Sequence, residues 1–419
     1  MVFQMSEKIL WIWKKDVGIA KVLSKIVGKR DVKKVVCFPD VHYKKRMEFP
    51  SSVAVGVKGR IIPELSSCAL NCGMTLLSTN LKEKDVEKFF EEFKEELKSK
   101  EYDLDGQGFE DFLLRGGVAA VERYGLPKDT VDKLENGGRF SVNAGLKNLV
   151  PRKAFLEGKK NLGTYFGGNH FLELQKVVEV YEDVGLKKGQ IVIFYHTGGG
   201  VVPYYVGRYF GNRKKDGWVK KIDHFVNKVR FHLFSFDDFF VRLRSYFFRG
   251  FNGVLENSKE GNRLVNAIKV SMNYGYAYRM ATFARLRNVV KKNFGGEVSL
   301  VCDTSHNSIQ KENGLWVHRH NASRVEGLSV LSGNYNCSSY LCKGGKQEYL
   351  FSMDHGAGAV MKGMDLSKRE GSVSLYSLDG VRKVSRVGDE GVDFVLKLLG
   401  DKEVVKPVAK LEPIANFKR

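Results

Sequence analysis

Long apolar runs are missing from this 419-residue chain. A membrane-spanning helix needs about 18 or more consecutive apolar residues, and IVIFY at 191–195 has only the length of a buried strand. Proline is scarce at 8 residues, and 6 cysteines are too few for a small disulfide-stapled scaffold. The amino terminus MVFQMSEKIL shows no apolar segment leading to a small-residue cleavage site. The expectation is a protein of the reducing cytoplasm with no membrane partner. Acids are also short, with Asp+Glu 48 against Lys+Arg 69 and a net charge of +21. Such a field attracts polyanions and makes nucleic acid the leading partner on charge alone. A solubility device or an acidic membrane contact fits the same balance.

What is present argues for a folded enzyme-sized chain. Hydrophobic residues make up 43% and aromatics 12%, which is too much apolar material for disorder. The 44 glycines exceed the usual share of about 7% and imply many tight turns. VKKVVCFPDVH (32–42) reads as a buried strand running into a loop, followed by two short β-type runs, SSVAVGV and RIIPEL. Residues 82–100 carry apolar positions at three-to-four spacing in a charged background, which predicts an amphipathic surface helix. QIVIFYHTGGG (190–200) predicts a strand ending in a glycine turn, and 263–294 a long helix. With no internal repeat, low-complexity tract or linker, the expectation is one compact α+β domain over 1–419, with packed β-sheets surrounded by helices. Within it, 203–250 sets eleven Lys/Arg among nine Phe with four acids. Arg213, Lys214, Lys215, Lys220 and Lys221 there are candidate RNA contacts, since cations beside rings suit a nucleic-acid strand. A helical pair with buried rings and solvated cations has the same pattern.

Five of the nine histidines sit at strand-to-turn transitions: His42 in FPDVH, His170 in GGNHFLE, His196 in FYHTGGG, His306 in CDTSHNS and His355 in MDHGAGA. One such histidine is usually structural. Five, with Cys72 in LNCGM, suit an assembled site, because imidazoles and a thiolate bind first-row metals and glycine admits close backbone approach. No C-x2-C pair is present, so the spacing is not that of a zinc finger. A thiolate is able to bridge two cations, which suggests a two-metal arrangement.

PDVH (39–42), NCG (71–73), GGNHFLE (167–173), HTG (196–198), SHN (305–307), the HR segment at 318–324 and HGAG (355–358) stand in one order along the chain. In that order they resemble the blocks of the RtcB-type RNA-splicing ligase family. The resemblance implies the compact fold of that family and a ligase dependent on GTP and one or two Mn²⁺ ions. The implied reaction joins an RNA 3′-phosphate or 2′,3′-cyclic phosphate end to a 5′-hydroxyl end through a guanylyl-histidine, in tRNA splicing or RNA repair. It implies His355 as the guanylylated residue and Cys72, His170, His196 and His306 as metal ligands. It implies guanylate contacts from Asn169, His170, Phe171, Leu172, Glu173, His306, Asn307, Ser332, Gly333, Asn334, Tyr335, Ser339, His355, Gly356, Ala357, Gly358 and Lys418. Asp40 and His42 would orient a ligand or replace a missing one. RNA partners would be tRNA halves or cleaved RNA, and an archease-type activator is implied by the family alone.

Three departures from the family pattern stand out. The acidic ligand of DxxC is Ala69 in ALNC, HTGSRG becomes HTGGGV, and HGAGR becomes HGAGA with Ala359. A hard oxygen donor and two phosphate-holding arginines are therefore absent from those places. Two further readings follow: a paralogue performing another metal-dependent nucleotidyl or phosphoryl transfer, and a non-catalytic RNA-binding relative.

Overall fold

The computed structural model describes residues 7–43, 47–210, 222 and 251–418. The RNA-contact candidates Arg213, Lys214, Lys215, Lys220 and Lys221 lie outside the described residues. Two sheets dominate. The smaller runs Ile9–Trp11, Val32–His42, Ser51–Val57, Leu315–His320, Asn307–Glu312, parallel only between its first two strands. The larger has a path of seven strands, Gly327–Leu331, Ser339–Gly344, Val405–Phe417, Phe171–Val180, Ile191–Gly198, Cys72–Thr79, Val298–Ser305, with a hairpin at one side.

Alternation of side chains along each strand divides the apolar residues between two faces. In the smaller sheet Val35, Cys37, Val53 and Val55 pack with Leu23 and Ile26 of helix Val17–Val27, whereas Val36, Phe38 and Ala54 pack with Val392, Val395 and Leu399 of helix Glu390–Asp401. In the larger sheet Leu77, Leu172, Leu174, Ile193 and Tyr195 face the helical layer, and Leu76, Val192, Phe194 and Cys302 the opposite side. The two sheets are one continuous chain at His306, which separates strands Val298–Ser305 and Asn307–Glu312.

The helix expected at 263–294 spans Lys259–Phe294, opened by the Ser258 hydroxyl accepting from Gly261 N at 2.9 Å and closed by Gly295 in the left-handed region. At about 1.5 Å per residue it is about 54 Å long and is buried through its middle. The helix expected over 82–100 is confined to Val86–Glu96 after a short 3₁₀ turn at Glu83–Asp85. RIIPEL forms only a two-residue strand, Arg60–Ile61, because Pro63 cannot donate to a ladder and opens a 3₁₀ turn. The strand expected at 32–42 spans Val32–His42, running through Pro39 with a register shift against Ser51–Val57. Five cysteines are buried, Cys68 only partly so, and none is disulfide-bonded.

The long helix meets the Cys72 turn at Gly275, where a Cβ would lie 2.7 Å from the Asn71 carbonyl oxygen. Gly275→Ala should therefore destabilise the protein by about 1–3 kcal/mol, read as a lower midpoint in urea unfolding; a wild-type midpoint would show that the contact relaxes freely.

Candidate active site

The buried turn before Cys72 is held by charge. Asn71 has φ 55, a conformation Asn tolerates better than most residues, and its side-chain amide donates to the Met272 carbonyl. Arg279, fully buried, donates from Nη1 to the Asn71 carbonyl at 2.6 Å and from Nη2 to Asn71 Oδ1 at 3.0 Å. Its Nε and Nη2 also reach the Asp303 carboxylate at 2.6 and 2.7 Å. Thr75 donates to the same carboxylate at 2.6 Å. Sequence reading missed Arg279 and Asp303: nothing local distinguishes an arginine within a long helix, and only the pairing across 24 residues of chain exposes its role.

Strand register then places the donors. Phe171, His196, Met74 and Thr304 lie side by side across four strands. His196 Nδ1 lies 3.0 Å from the Asn169 carbonyl, which assigns the proton to Nδ1 and leaves the Nε2 lone pair facing Cys72 Sγ at 3.0 Å. His170 Nε2 lies 3.4 Å from the same sulfur. The ligand atoms of Cys72, His170 and His196 all fall within 4.8 Å of one another. His306 continues the group, its ring 4.8 Å from that of His196, and His355 stands 4.8 Å beyond His306. His306 Nδ1 is buried without a hydrogen-bond partner, a costly arrangement for an imidazole unless a ligand completes it.

Burial, followed by the neighbouring imidazoles, holds His196 and His306 well below the usual histidine pKa. His170 is lowered to about 4, chiefly by burial. Burial pushes the Cys72 thiol up to about 12, against the pull of Arg279 and the Gly73 amide. Neutral imidazoles and a thiol whose proton a cation would displace make a donor set suited to a soft or borderline divalent metal.

His355 ends this row at a cavity of about 1240 Å³. Its Nδ1 lies 2.8 Å from the Asn321 carbonyl, so Nε2 keeps its lone pair. Burial, with the nearby His42, lowers its pKa to about 4, although the Asn321 carbonyl opposes this. Asp40 Oδ1 accepts the Ala359 and Val360 amides at 2.7 and 2.8 Å and so fixes the turn that carries His355. His42 Nδ1 lies 2.8 Å from the Asp40 carbonyl.

Asn169, Phe171, Glu173, Ser332, Gly333, Asn334, Tyr335, Gly356, Gly358 and Lys418 also border the cavity. Leu172 points instead into the helix-covered core, and Ala357 is packed in the smaller sheet's core. Ser339 Oγ accepts from Gly333 N at 3.0 Å, and Asn307 Oδ1 from Asn321 N at 2.9 Å, so both brace cavity segments. His318 is structural, with Nε2 accepting from Ile62 N at 2.9 Å and Nδ1 3.0 Å from the Trp316 carbonyl.

A family model described as "tRNA-splicing ligase RtcB" matches residues 24–419. The chain belongs to the RtcB family. Relatives named tRNA-splicing ligase RtcB from Pyrococcus abyssi and Pyrococcus horikoshii are each 26% identical, over 83% of this chain and 42% and 44% of theirs. One from Archaeoglobus fulgidus is 25% identical over 86% of this chain and 79% of its own. The chain spans less than half the length of the two Pyrococcus relatives. In this family member Ala69 is only partly buried, and its carbonyl accepts the Cys72 amide at 3.1 Å.

Ala69→Asp should raise Mn²⁺ affinity, since it adds a hard oxygen three residues before the thiol; unchanged affinity in equilibrium dialysis would overturn the alignment of this turn with DxxC. A second expectation concerns Glu173, whose carboxyl is raised to about 8 by burial despite the Gln175 amide donating to it at 2.6 Å. The folded state holds this proton more tightly than the unfolded state, so the associated stability is complete below about pH 4 and fades as pH rises through about 8. The stability of wild type relative to Glu173→Gln should fall across that window in urea titrations, and a constant difference would contradict the shift.

Proposed function

We propose that this protein joins RNA ends, using GTP to activate a 3′-phosphate or 2′,3′-cyclic phosphate end for attack by a 5′-hydroxyl. The observation that carries the reading is the Nδ1 contact of His355 with the Asn321 carbonyl. It fixes the tautomer in which Nε2 is a neutral nucleophile beside a large cavity. Nε2 attacks the α-phosphorus of GTP, the P–N bond forms, and the bond to the departing pyrophosphate breaks. A 2′,3′-cyclic end is first opened by water to the 3′-phosphate; a 3′-phosphate oxygen then takes the guanylate as the P–N bond to His355 breaks, and the 5′-hydroxyl attacks the RNA phosphorus and displaces GMP.

The donor set of Cys72, His170 and His196, with the unpartnered His306 Nδ1 beside them, fits a divalent first-row metal; Mn²⁺, a harder ion, is the choice the family supplies, and it would need water or phosphate oxygens beside these donors. Those residues would hold one or two ions, which neutralise phosphate charge when bound. Glu173 and Asn169 at the cavity wall suit a guanine-bearing ligand: the N1–H and N2 donors, which adenine does not offer, would draw the buried Glu173 carboxyl into its ionised, accepting form. Arg279 and Asp303 keep the cysteine turn in place, and Asp40 keeps the His355 turn in place.

Substrates of this class are tRNA halves or cleaved RNA, and an archease-type activator would join them. No helix among the described residues is long and apolar enough to cross a membrane; six free cysteines support a reducing compartment such as the cytoplasm. Ala69 favours a second reading, nucleotidyl transfer without end joining, because one metal position has lost its carboxylate.

Incubation with α-labelled GTP and Mn²⁺ should yield an acid-labile adduct on denaturing electrophoresis, and His355→Ala should abolish it. An adduct without joined RNA would select the second reading, and no adduct at saturating metal would overturn both.

A further inference from the structure

One wall of the cavity over His355 is a hairpin formed by Lys368–Tyr376 and Val381–Val387. It branches from the larger sheet by pairing Ser374 and Tyr376 in parallel with Ala415 and Phe417 of the last strand. Its turn reaches the cavity mouth, where Leu378 and Val381 are exposed. Three cations border the same space: Lys362, Arg382 and Lys418. Lys362 closes the five-residue helix that follows the His355 turn, and Arg382 lies on the returning strand of the hairpin.

Lys362 and Arg382 are exposed and make no ion pair among the described residues. Arg386, four residues further along the hairpin, is instead paired with Glu412. Three carboxylates share the lining, Asp40, Glu173 and Asp379. Asp40 is engaged by two backbone amides and Glu173 by Gln175, while Asp379 sits on the hairpin turn. The glycine turns flanking the histidine row, HTGGG at 196–200 and HGAGA at 355–359, contain no Lys or Arg. Among the described residues, the cations available to an RNA phosphate at this cavity, besides any bound metal, are Lys362, Arg382 and Lys418. Lys418 extends the strand whose Asn416 pairs with Glu173, whereas Lys362 ends the helix that follows the His355 turn and Arg382 rides on the hairpin, both exposed to an incoming strand end.

We propose that Lys362 and Arg382 seat the terminal phosphate of the RNA strand that is activated at His355, with the hairpin as the carrier of Arg382. This rests on the reading of His355 as the guanylylated residue. The recognised chemistry is a phosphomonoester or cyclic phosphate at a strand end, and a nucleotide triphosphate carries related charge, so the test separates the two.

Binding of short fluorescent RNAs ending in a 3′-phosphate or a 3′-hydroxyl is measured by anisotropy on the full chain without GTP, alongside guanylylation with α-labelled GTP. Wild type should prefer the phosphate end by about tenfold, as charge-assisted contacts to an anion allow. Lys362→Ala with Arg382→Ala should bring that preference near one, leave affinity for the hydroxyl end within about twofold, and leave guanylylation at the wild-type level. Arg382→Lys should recover part of the preference, which a purely structural role would not predict.

A preference that survives in the double variant overturns the proposal, as does an absent preference in wild type. A raised KM for GTP with unchanged end preference also overturns it and gives these cations to the triphosphate. If wild type shows a cation-dependent end preference but no labelled adduct, the phosphate seat stands and the His355 reading fails.

Discussion

A guanidinium and a carboxylate, both withdrawn from water, set the geometry on which the site depends. Burying either charge alone costs several kcal/mol, and the pair is tolerable only because its hydrogen bonds are met on every side. Asp303 receives two of them from Arg279 and one from Thr75; Arg279 uses its remaining reach on the backbone and side chain of Asn71. The long helix, the end strand Val298–Ser305 of the larger sheet with its neighbour Cys72–Thr79, and the turn before Cys72 are thereby tied at one point. The sulfur cannot drift from the two imidazoles without breaking a bond to a buried charge.

From that point the two sheets carry the rest. The register that lines up Phe171, His196, Met74 and Thr304 belongs to the larger sheet, whereas Asn321 follows a strand of the smaller one. His306 joins them, its amide donating to the Cys72 carbonyl and its carbonyl accepting from Ala322. The row from His170 to His355 thus runs across the seam between sheets, from a thiol-bearing donor cluster to an imidazole at a cavity wall. Low dielectric along the row keeps its imidazoles neutral, the state required both for metal ligation and for nucleophilic attack.

Charge is arranged oppositely at the two ends of this row. The donor cluster contains no carboxylate among its three members, consistent with alanine at position 69. The cavity beyond His355 has its cations on the short helix after the His355 turn, on the hairpin and at the strand end rather than on the glycine turns. The proposed phosphate seat uses elements that the aligned motifs do not contain, while His355 and the Asn321 carbonyl that fixes its tautomer lie within them.

Composition and motif order were enough for the fold class, the family, and the identity of Cys72, His170, His196, His306 and His355 as one group, because residue chemistry and strand-to-turn context are local properties. The long helix was legible from its period and the strand ending at HTGGG from its apolar run. Asp40, by contrast, had two readings until its carboxylate was found capping the His355 turn, and His318 proved structural only when the Ile62 amide was seen against its ring. Leu172 was grouped with its neighbours, yet strand alternation turns it into the core. Arg279 and Asp303 were invisible in sequence, since their partners lie far away along the chain. The sequence by itself determined which chemical groups are available; the tertiary structure decided which of them meet, because distances between side chains, and the tautomers and burial that follow, arise only when strand register and helix packing bring remote segments together.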